Sequence, residues 1–154
     1  MSAVPKNRIA YEAMQEIDLA AVMVIEQTIY EFPWTLGNFR DSLGAGYLCW
    51  ICREAGQMLG YSVVMNAADE AHLLNLSIAP VHQRQGHGGR MLLFLIDNAR
   101  SAKAGKIILE VRPSNVGAQK LYTGFGFREI GVRRDYYPAH SGVREDAMVM
   151  SLTW

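Results

Sequence analysis

The run GYLCWICREAGQMLGYSVVMNA (46–67) constrains the fold more than any other stretch of the chain. GYLCWICRE and QMLGYSVVMNA are both strand-like, and only the tight EAGQ connection separates them, which is the pattern of an antiparallel hairpin. A plain doubly wound sheet joins parallel strands through helices, so a hairpin at this place argues against it. The flanking elements complete the order. RIAYEAM (8–14) reads as a short opening strand. Glu16 to about Ile29 reads as an amphipathic helix, with Leu19, Val22, Met23, Ile25 and Ile29 among its apolar positions. EFPW breaks it, and Thr35 caps a short second helix through Leu43. After the hairpin, AHLLNLSIAP is a strand ended by Pro80, and a helix follows from about Gly88 to Ala104. Leu92, Leu95, Ile96 and Ala99 form that helix's buried face, with Gly105 as its C-terminal cap. KIILEVR (106–112) is a strand, and Asn115 starts a helix to about Thr123. FGFREIGVRR and REDAMVMSLTW are two closing strands joined through DYYPAHSGV. The order β, α, α, β, β, β, α, β, α, β, β predicts an α/β chain with a mixed sheet and helices packed on it.

Composition narrows the function classes. A chain of 154 residues, 50% hydrophobic and 19% charged, can bury a real core and is expected to form a single domain, 1–154. Fifteen basic residues balance fifteen acidic ones, which argues against general nucleic-acid binding driven by phosphate neutralisation. Cys49 and Cys52 make CWIC, but a redox pair of that kind opens a helix, whereas this one lies in a strand-like run. Period two points the two thiols to opposite faces, so buried thiols are expected. His72, His82, His87 and His140 are scattered without ligand spacing, so no metal is expected. The apolar run LAAVMVI (19–25) is short, bracketed by Asp18 and Glu26, and followed by no cleavage site. No stretch reaches the roughly 18–20 apolar residues of a membrane span. A cytoplasmic chain, off the membrane, is expected.

QRQGHGGR (83–90) then stands between a strand and a helix with glycines at 86, 88 and 89. It lacks the third glycine of a dinucleotide fingerprint, because Met91 occupies that place, and it lacks the Lys-Ser/Thr of a Walker loop. What remains is a helix start whose backbone N–H groups and dipole favour an anion. Missing Cβ atoms let a pyrophosphate approach, and Arg84 and Arg90 add charge. An ordinary glycine-rich turn is the plain alternative.

The pattern Q-x-x-G-x-G after a strand and before a helix resembles the acetyl-CoA signature of the GNAT superfamily of N-acetyltransferases. FPW (32–34), QRQGHG (83–88), LEVRPSN (109–115) and RRDYYP (133–138), supported by REDAMVM (144–150), are together similar to its RimI-like subfamily. That subfamily acetylates the N-terminal alanine of a small-subunit ribosomal protein. The resemblance implies the GNAT fold, with a mostly antiparallel central sheet, a splayed parallel strand pair and, from the four helical segments above, four helices. It implies acetyl-CoA as cosubstrate. Pantetheine would bond the backbone at Leu76, Ser77 and Ile78, and pyrophosphate would sit on Arg84, Gln85, Gly86, His87, Gly88 and Gly89. Related enzymes read QGLGR where this chain reads QGHGGR, and His87 is expected as a loop side chain rather than a catalytic base.

Acetyl transfer needs a deprotonated amine, a stabilised oxyanion and a proton for the departing thiolate. Glu110 is the candidate base, since its apolar neighbours can desolvate it and raise its pKa. A strand-edge carboxylate paired with Arg112 is the alternative, and the resemblance favours the base. Asn115 and Tyr122 are seven residues apart, so they share a helix face that can follow one extended ligand. Asn115 would bond the pantetheine arm, and the resemblance makes Tyr122 the general acid. Both also have structural readings, as an N-cap and a core aromatic. Phe32, Trp34, Tyr136 and Tyr137 are the expected acceptor side, receiving an extended peptide end, or they simply close the core. The expected partner is the N-terminal tail of a ribosomal protein, with no direct nucleic-acid contact, and the chain is expected as a monomer or weak dimer. Rival readings keep the chemistry with a lysine, another protein N-terminus or a small amine as acceptor, or make the chain an acyl-CoA-binding sensor. An α-amine near 7.7–8.0 needs about one unit of deprotonation at pH 7, whereas lysine needs over three, so a carboxylate base suits the α-amine better.

Overall fold

A computed structural model describes residues 8–154. The elements follow in the expected order: β1 (Ile9–Ala13), α1 (Leu19–Ile29), α2 (Leu36–Gly44), β2 (Leu48–Glu54), β3 (Gln57–Ala67), β4 (Glu70–Ile78), α3 (His87–Ser101), β5 (Lys106–Val111), α4 (Val116–Gly124), β6 (Arg128–Pro138) and β7 (Arg144–Thr153). Among the described residues the seven strands pair in the order β1-β2-β3-β4-β5-β7-β6. The mixed sheet of the sequence reading is therefore present. The β4–β5 pair is parallel, while β1–β2, β2–β3, β5–β7 and β6–β7 are antiparallel.

The chain divides into two compact units. One runs up to Val64 and includes Asn75–Met91; the other comprises Met65–Leu74 and Leu92–Trp154. In the first, Leu19 and Val22 on α1, Phe39 on α2, and Ile51, Cys52, Leu59, Tyr61 and Val63 on the hairpin are essentially inaccessible. Burying each such side chain contributes about 1.5–3 kcal/mol. Cys49 and Cys52 are buried, free thiols, and burial pushes both up to about 11, so they are poor nucleophiles. In the second unit, Leu92, Leu95, Ile96 and Ala99 on α3, Ile107, Leu109 and Val111 on β5, and Phe127, Ala147 and Met150 are all buried.

Several boundaries differ from the sequence expectation. Glu16–Asp18 is a separate 3-10 turn before α1. Helix α3 begins at His87, one residue before the expected start at about Gly88. It stops at Ser101, and Lys103, with φ 63°, takes the left-handed position expected of Gly105. Ala104 N–H then reaches Ala99 C=O (3.0 Å), the long bond of a Schellman ending. Strand β6 does not end at Arg134 but continues through the two tyrosines to Pro138. It does so around a bulge: Arg133 opposes Ala147 and Tyr137 opposes Glu145, and Asp135 sits at φ 51°.

One core residue of the first unit went unread in the sequence. Leu19, Val22 and Glu26 lie on one helical stripe, so α1 carries a carboxyl group into the core, where it is 1% exposed. It accepts hydrogen bonds from Tyr61 Oη (2.7 Å), Asn75 Nδ2 (3.1 Å) and the Trp34 backbone N–H (2.9 Å). The alanine variant Glu26→Ala strands all three donors, each costing about 1–3 kcal/mol when buried without a partner. Urea unfolding of that variant should show stability lower by at least about 3 kcal/mol, whereas Glu26→Gln, which keeps one acceptor oxygen, should lose less.

Candidate active site

In the first unit the glycine segment is shaped by its own side chains. Gln83 Nε2 donates to Ile78 C=O at the end of β4 (2.9 Å). Arg84 and Gly86 hold positive φ values of 62° and 84°, and Gly86 C=O accepts the first helical bond, from Arg90 N–H (3.1 Å). The amides of His87, Gly88 and Gly89 precede that bond and have no helical carbonyl to pair with. Arg90 does not reach outward as a free charge. Its Nη2 donates to Gln85 C=O (2.7 Å) and to His87 Nδ1 (3.0 Å). His87 is accordingly not a loop side chain: as the first residue of α3 it turns inward and is 7% exposed, with its ring edge-on to His82. Burial, then the Arg90 charge, lowers its pKa. A neutral imidazole also suits a helix N-terminus, where a cation is disfavoured.

Leu76, Ser77 and Ile78 form the end of β4. Ser77 is buried, and its hydroxyl donates to Asn75 Oδ1 (2.7 Å) and lies 2.7 Å from Tyr30 Oη. A Cβ on Gly60 would stand 2.2 Å from Ser77 C=O, so only glycine permits this close approach of β3 and β4. Trp34 is half-buried in the same unit, its ring 5.1 Å from Phe39 and its N–H on Glu26.

The second unit holds the candidate acid–base groups. Glu110, with a side chain only 5% exposed, is clamped on both oxygens: Oε2 lies 2.5 Å from His72 Nε2 on β4, and Oε1 accepts from Arg133 Nε on β6 (2.9 Å). The described partners of Glu110 are thus His72 and Arg133. Arg112 pairs with Glu145 on β7 (3.1 Å) and lies over the Tyr137 ring at 4.4 Å. The expected rise in the Glu110 pKa is reversed. Burial pushes it up, but the hydrogen bonds and charges of His72 and Arg133 outweigh that and hold it below the ordinary carboxylate value. Tyr122 on α4 is buried, with its ring 5.6 Å from Phe127. Asn115 caps α4, its Oδ1 accepting from Ala118 N–H (3.1 Å), while the residue itself is exposed. The two are joined by one helix but differ in depth.

Tyr136 and Tyr137 meet edge to face at 4.8 Å on the β6 bulge. The bulge is held by the start of β7. Arg144 donates to the carbonyls of Asp135 (2.7 Å) and Tyr136 (2.8 Å), and Asp146 accepts from Asp135 N–H (2.9 Å). Glu145 takes Ser114 N–H and Oγ–H (both 2.9 Å) as well as Arg112, which brings its pKa down despite the upward push of burial. The RED triplet thus fixes both the RPSN turn and the tyrosine pair.

Residues 14–127 match the Acetyltransferase (GNAT) family. The chain belongs to that family. It is 39% identical over 140 residues to the ribosomal protein bS18-alanine N-acetyltransferase of Escherichia coli (strain K12), covering 91% of this chain and 94% of that one. The protein of the same name from Haemophilus ducreyi is 36% identical over 141 residues, covering 92% and 97%. The crystal structure of the ribosomal-protein-S18-alanine N-acetyltransferase from Escherichia coli matches this fold with a TM-score of 0.87 and 37% identity, over 95% of this chain and 94% of that one.

Within this GNAT chain, His72 and Arg133, which bond Glu110, and Glu145 and Asp146, which hold the neighbouring turn and bulge, were not picked out from the sequence. REDA was visible as a segment, yet nothing in it names its contacts. Among the described residues, no group of three or more His, Cys, Asp or Glu could hold a metal ion, and no helix is long and apolar enough to cross a membrane.

The Glu110 clamp has a consequence for acid stability. A carboxyl whose folded pKa is depressed contributes stability that is fully present above the unfolded value, ordinarily 4.5, and is lost as pH falls through the lower folded value. Carbon-detected NMR titration of the side-chain carboxyl should give a midpoint below 4.5 in the wild type. The midpoint should move upward in Arg133→Gln. An unmoved midpoint in that variant would show that Arg133 contributes nothing to the clamp.

Proposed function

We propose that this chain transfers the acetyl group of acetyl-CoA to the α-amine of an N-terminal alanine on a small-subunit ribosomal protein. The observation that carries the reading is identity of 36–39%, over nine-tenths or more of both chains, to enzymes named for that reaction. The loop supports it: unpaired amides at 87–89 and Arg84 offer donors to a pyrophosphate. Leu76, Ser77 and Ile78 lie just ahead of the loop for the pantetheine arm, Asn115 supplies a further amide, and Trp34, Tyr136 and Tyr137 receive the peptide end.

In this reading Glu110 draws the proton away from the acceptor amine. The freed lone pair attacks the thioester carbonyl carbon, and the C–S bond breaks as Tyr122 gives its hydroxyl proton to the departing sulfur. The partner is a ribosomal-protein tail and the compartment is the cytoplasm.

The acceptor is tested with an alanine-starting peptide that also contains lysines. Mass spectrometry after incubation with acetyl-CoA should show one acetyl group on the free peptide and none when the α-amine is blocked beforehand. Acetylation of the blocked peptide would assign the acceptor to lysine.

The acid–base roles separate by pH. Glu110→Gln should lower turnover about 10²–10⁴-fold at neutral pH, the size of a general-base contribution, with partial recovery at high pH, where the amine is already neutral. Tyr122→Phe should leave acetyl-CoA affinity nearly unchanged and lower turnover without that recovery, because the thiolate still lacks its proton. Steady-state kinetics across pH 6–10 would read both, and a fully active Tyr122→Phe would show that the thiolate leaves unaided.

A further inference from the structure

His72 is a histidine for which the roles above have no use. It lies on β4 opposite Ile108, two residues before Glu110 on the parallel neighbour β5. Its Nε2 is 2.5 Å from Glu110 Oε2. The pair is unequal in access: the Glu110 side chain is 5% exposed and that of His72 is 22% exposed. A base must be reached by the proton it removes. The carboxyl has one oxygen on His72 and the other on Arg133, whereas no other hydrogen bond of His72 is present among the described residues. A carboxylate on Nε2 keeps the proton on that nitrogen and leaves the lone pair on Nδ1, as in other carboxylate–histidine pairs.

We infer that His72 Nδ1 takes the proton from the acceptor amine and that Glu110 holds the ring and compensates the imidazolium. The inference rests on the acetyl-transfer reading and deepens it, because Glu110 then acts through His72. The clamp itself makes Glu110 a poor proton acceptor, because the hydrogen bonds and charges of His72 and Arg133 hold its pKa below the ordinary carboxylate value. The other charged and titratable groups facing the pair are Arg133, Tyr136 and Tyr137 on β6 and the Glu70–Lys106 ion pair (3.2 Å) at the start of the same two strands.

The protons balance. The acceptor nitrogen enters as an ammonium and gives its first proton to Nδ1, and the imidazolium passes that proton to solvent. The nitrogen attacks the carbonyl carbon and gives its second proton to solvent as the amide forms. The C–S bond breaks, sulfur takes the Tyr122 proton, and solvent refills the tyrosine. One proton is released in total.

The test uses the full chain, acetyl-CoA and an alanine-starting peptide, with thermal melting to check that each variant folds. His72→Ala should lower kcat at least about tenfold at neutral pH, leave KM for acetyl-CoA unchanged, and shift the acidic limb of the kcat profile. Added imidazole should restore part of the lost turnover. His72→Gln can still donate an amide hydrogen bond to Glu110, yet it should lose as much, because it cannot take a proton. Full activity of His72→Gln would reduce His72 to a positioning residue and overturn the inference. An unshifted profile together with no imidazole rescue would also overturn it. If His72→Ala is fully active while Glu110→Gln is impaired, only the His72 role fails. If both are fully active, the acid–base site itself is misplaced. Should His72→Ala not fold, His72→Gln and its pH profile decide alone.

Discussion

Among the described residues, the parallel pairing of β4 with β5 runs over four positions, from Glu70↔Lys106 to Leu73↔Leu109. Beyond Leu109, the β5 residues Glu110 and Val111 pair with Val149 and Met148 of β7, and among the described residues they have no β4 partner. A strand in that position would be weak if β7 were short, but β7 pairs β5 along its whole length, from Lys106↔Thr153 to Val111↔Met148. The antiparallel side thus carries the ladder while the parallel side is released at the level of Glu110. His72 and Glu110 stand at that point of release, one on each strand, and their hydrogen bond continues as a side-chain link where the backbone ladder ends.

Three carboxyl groups do the organising, each by accepting from several donors. Glu26 gathers Tyr61, Asn75 and Trp34 N–H in the first unit. Glu110 gathers His72 and Arg133, and Glu145 gathers Arg112 and Ser114, both in the second. Burying an acidic side chain without partners would be costly, so Glu26 and Glu110 demand their full sets of donors, whereas Glu145 is partly exposed and its donors order the turn. Polar residues far apart in the chain are thereby tied into sets around Glu26 and Glu110, since truncating the carboxylate would leave its buried donors unpaired. Burial raises the pKa of Tyr137, neighbouring Tyr136 and Glu110 add to that, and Arg112 above the ring opposes it. The hydroxyl therefore stays protonated across the working range and can donate a hydrogen bond.

Elements were legible in the sequence because period is a local property. The alternation in GYLCWICRE, the stripe Leu92-Leu95-Ile96-Ala99 and the breakers EFPW and Pro80 each act within one segment. The exceptions are places where a non-local bond overrides a local preference. Gly105 looked like the helix cap, yet its N–H is held by Asp69 C=O (2.6 Å), and Lys103 takes the left-handed turn instead. DYYP looked like a connection because proline and aspartate favour turns, yet Arg144 and Asp146 hold it as a bulged strand. The site shows the same division. Family motifs picked out Glu110, Tyr122 and the glycine segment. His72 lies 38 residues from Glu110 in sequence, and a lone histidine in an alternating strand carries no signal of a partner. Glu26 was nearer to legible: its place on the Leu19–Val22 stripe already required a buried acid and hence donors to meet it.

His72 and Arg133 stabilise the Glu110 carboxylate and so lower its affinity for protons. Lysine, near 10.4, lies more than two units above an α-amine near 7.7–8.0, a disadvantage of about 3 kcal/mol for the neutral nucleophile whatever group takes the proton. In the proposed acetyl transfer, the advantage of a chain terminus over a lysine therefore lies in the amine itself and not in the strength of the base.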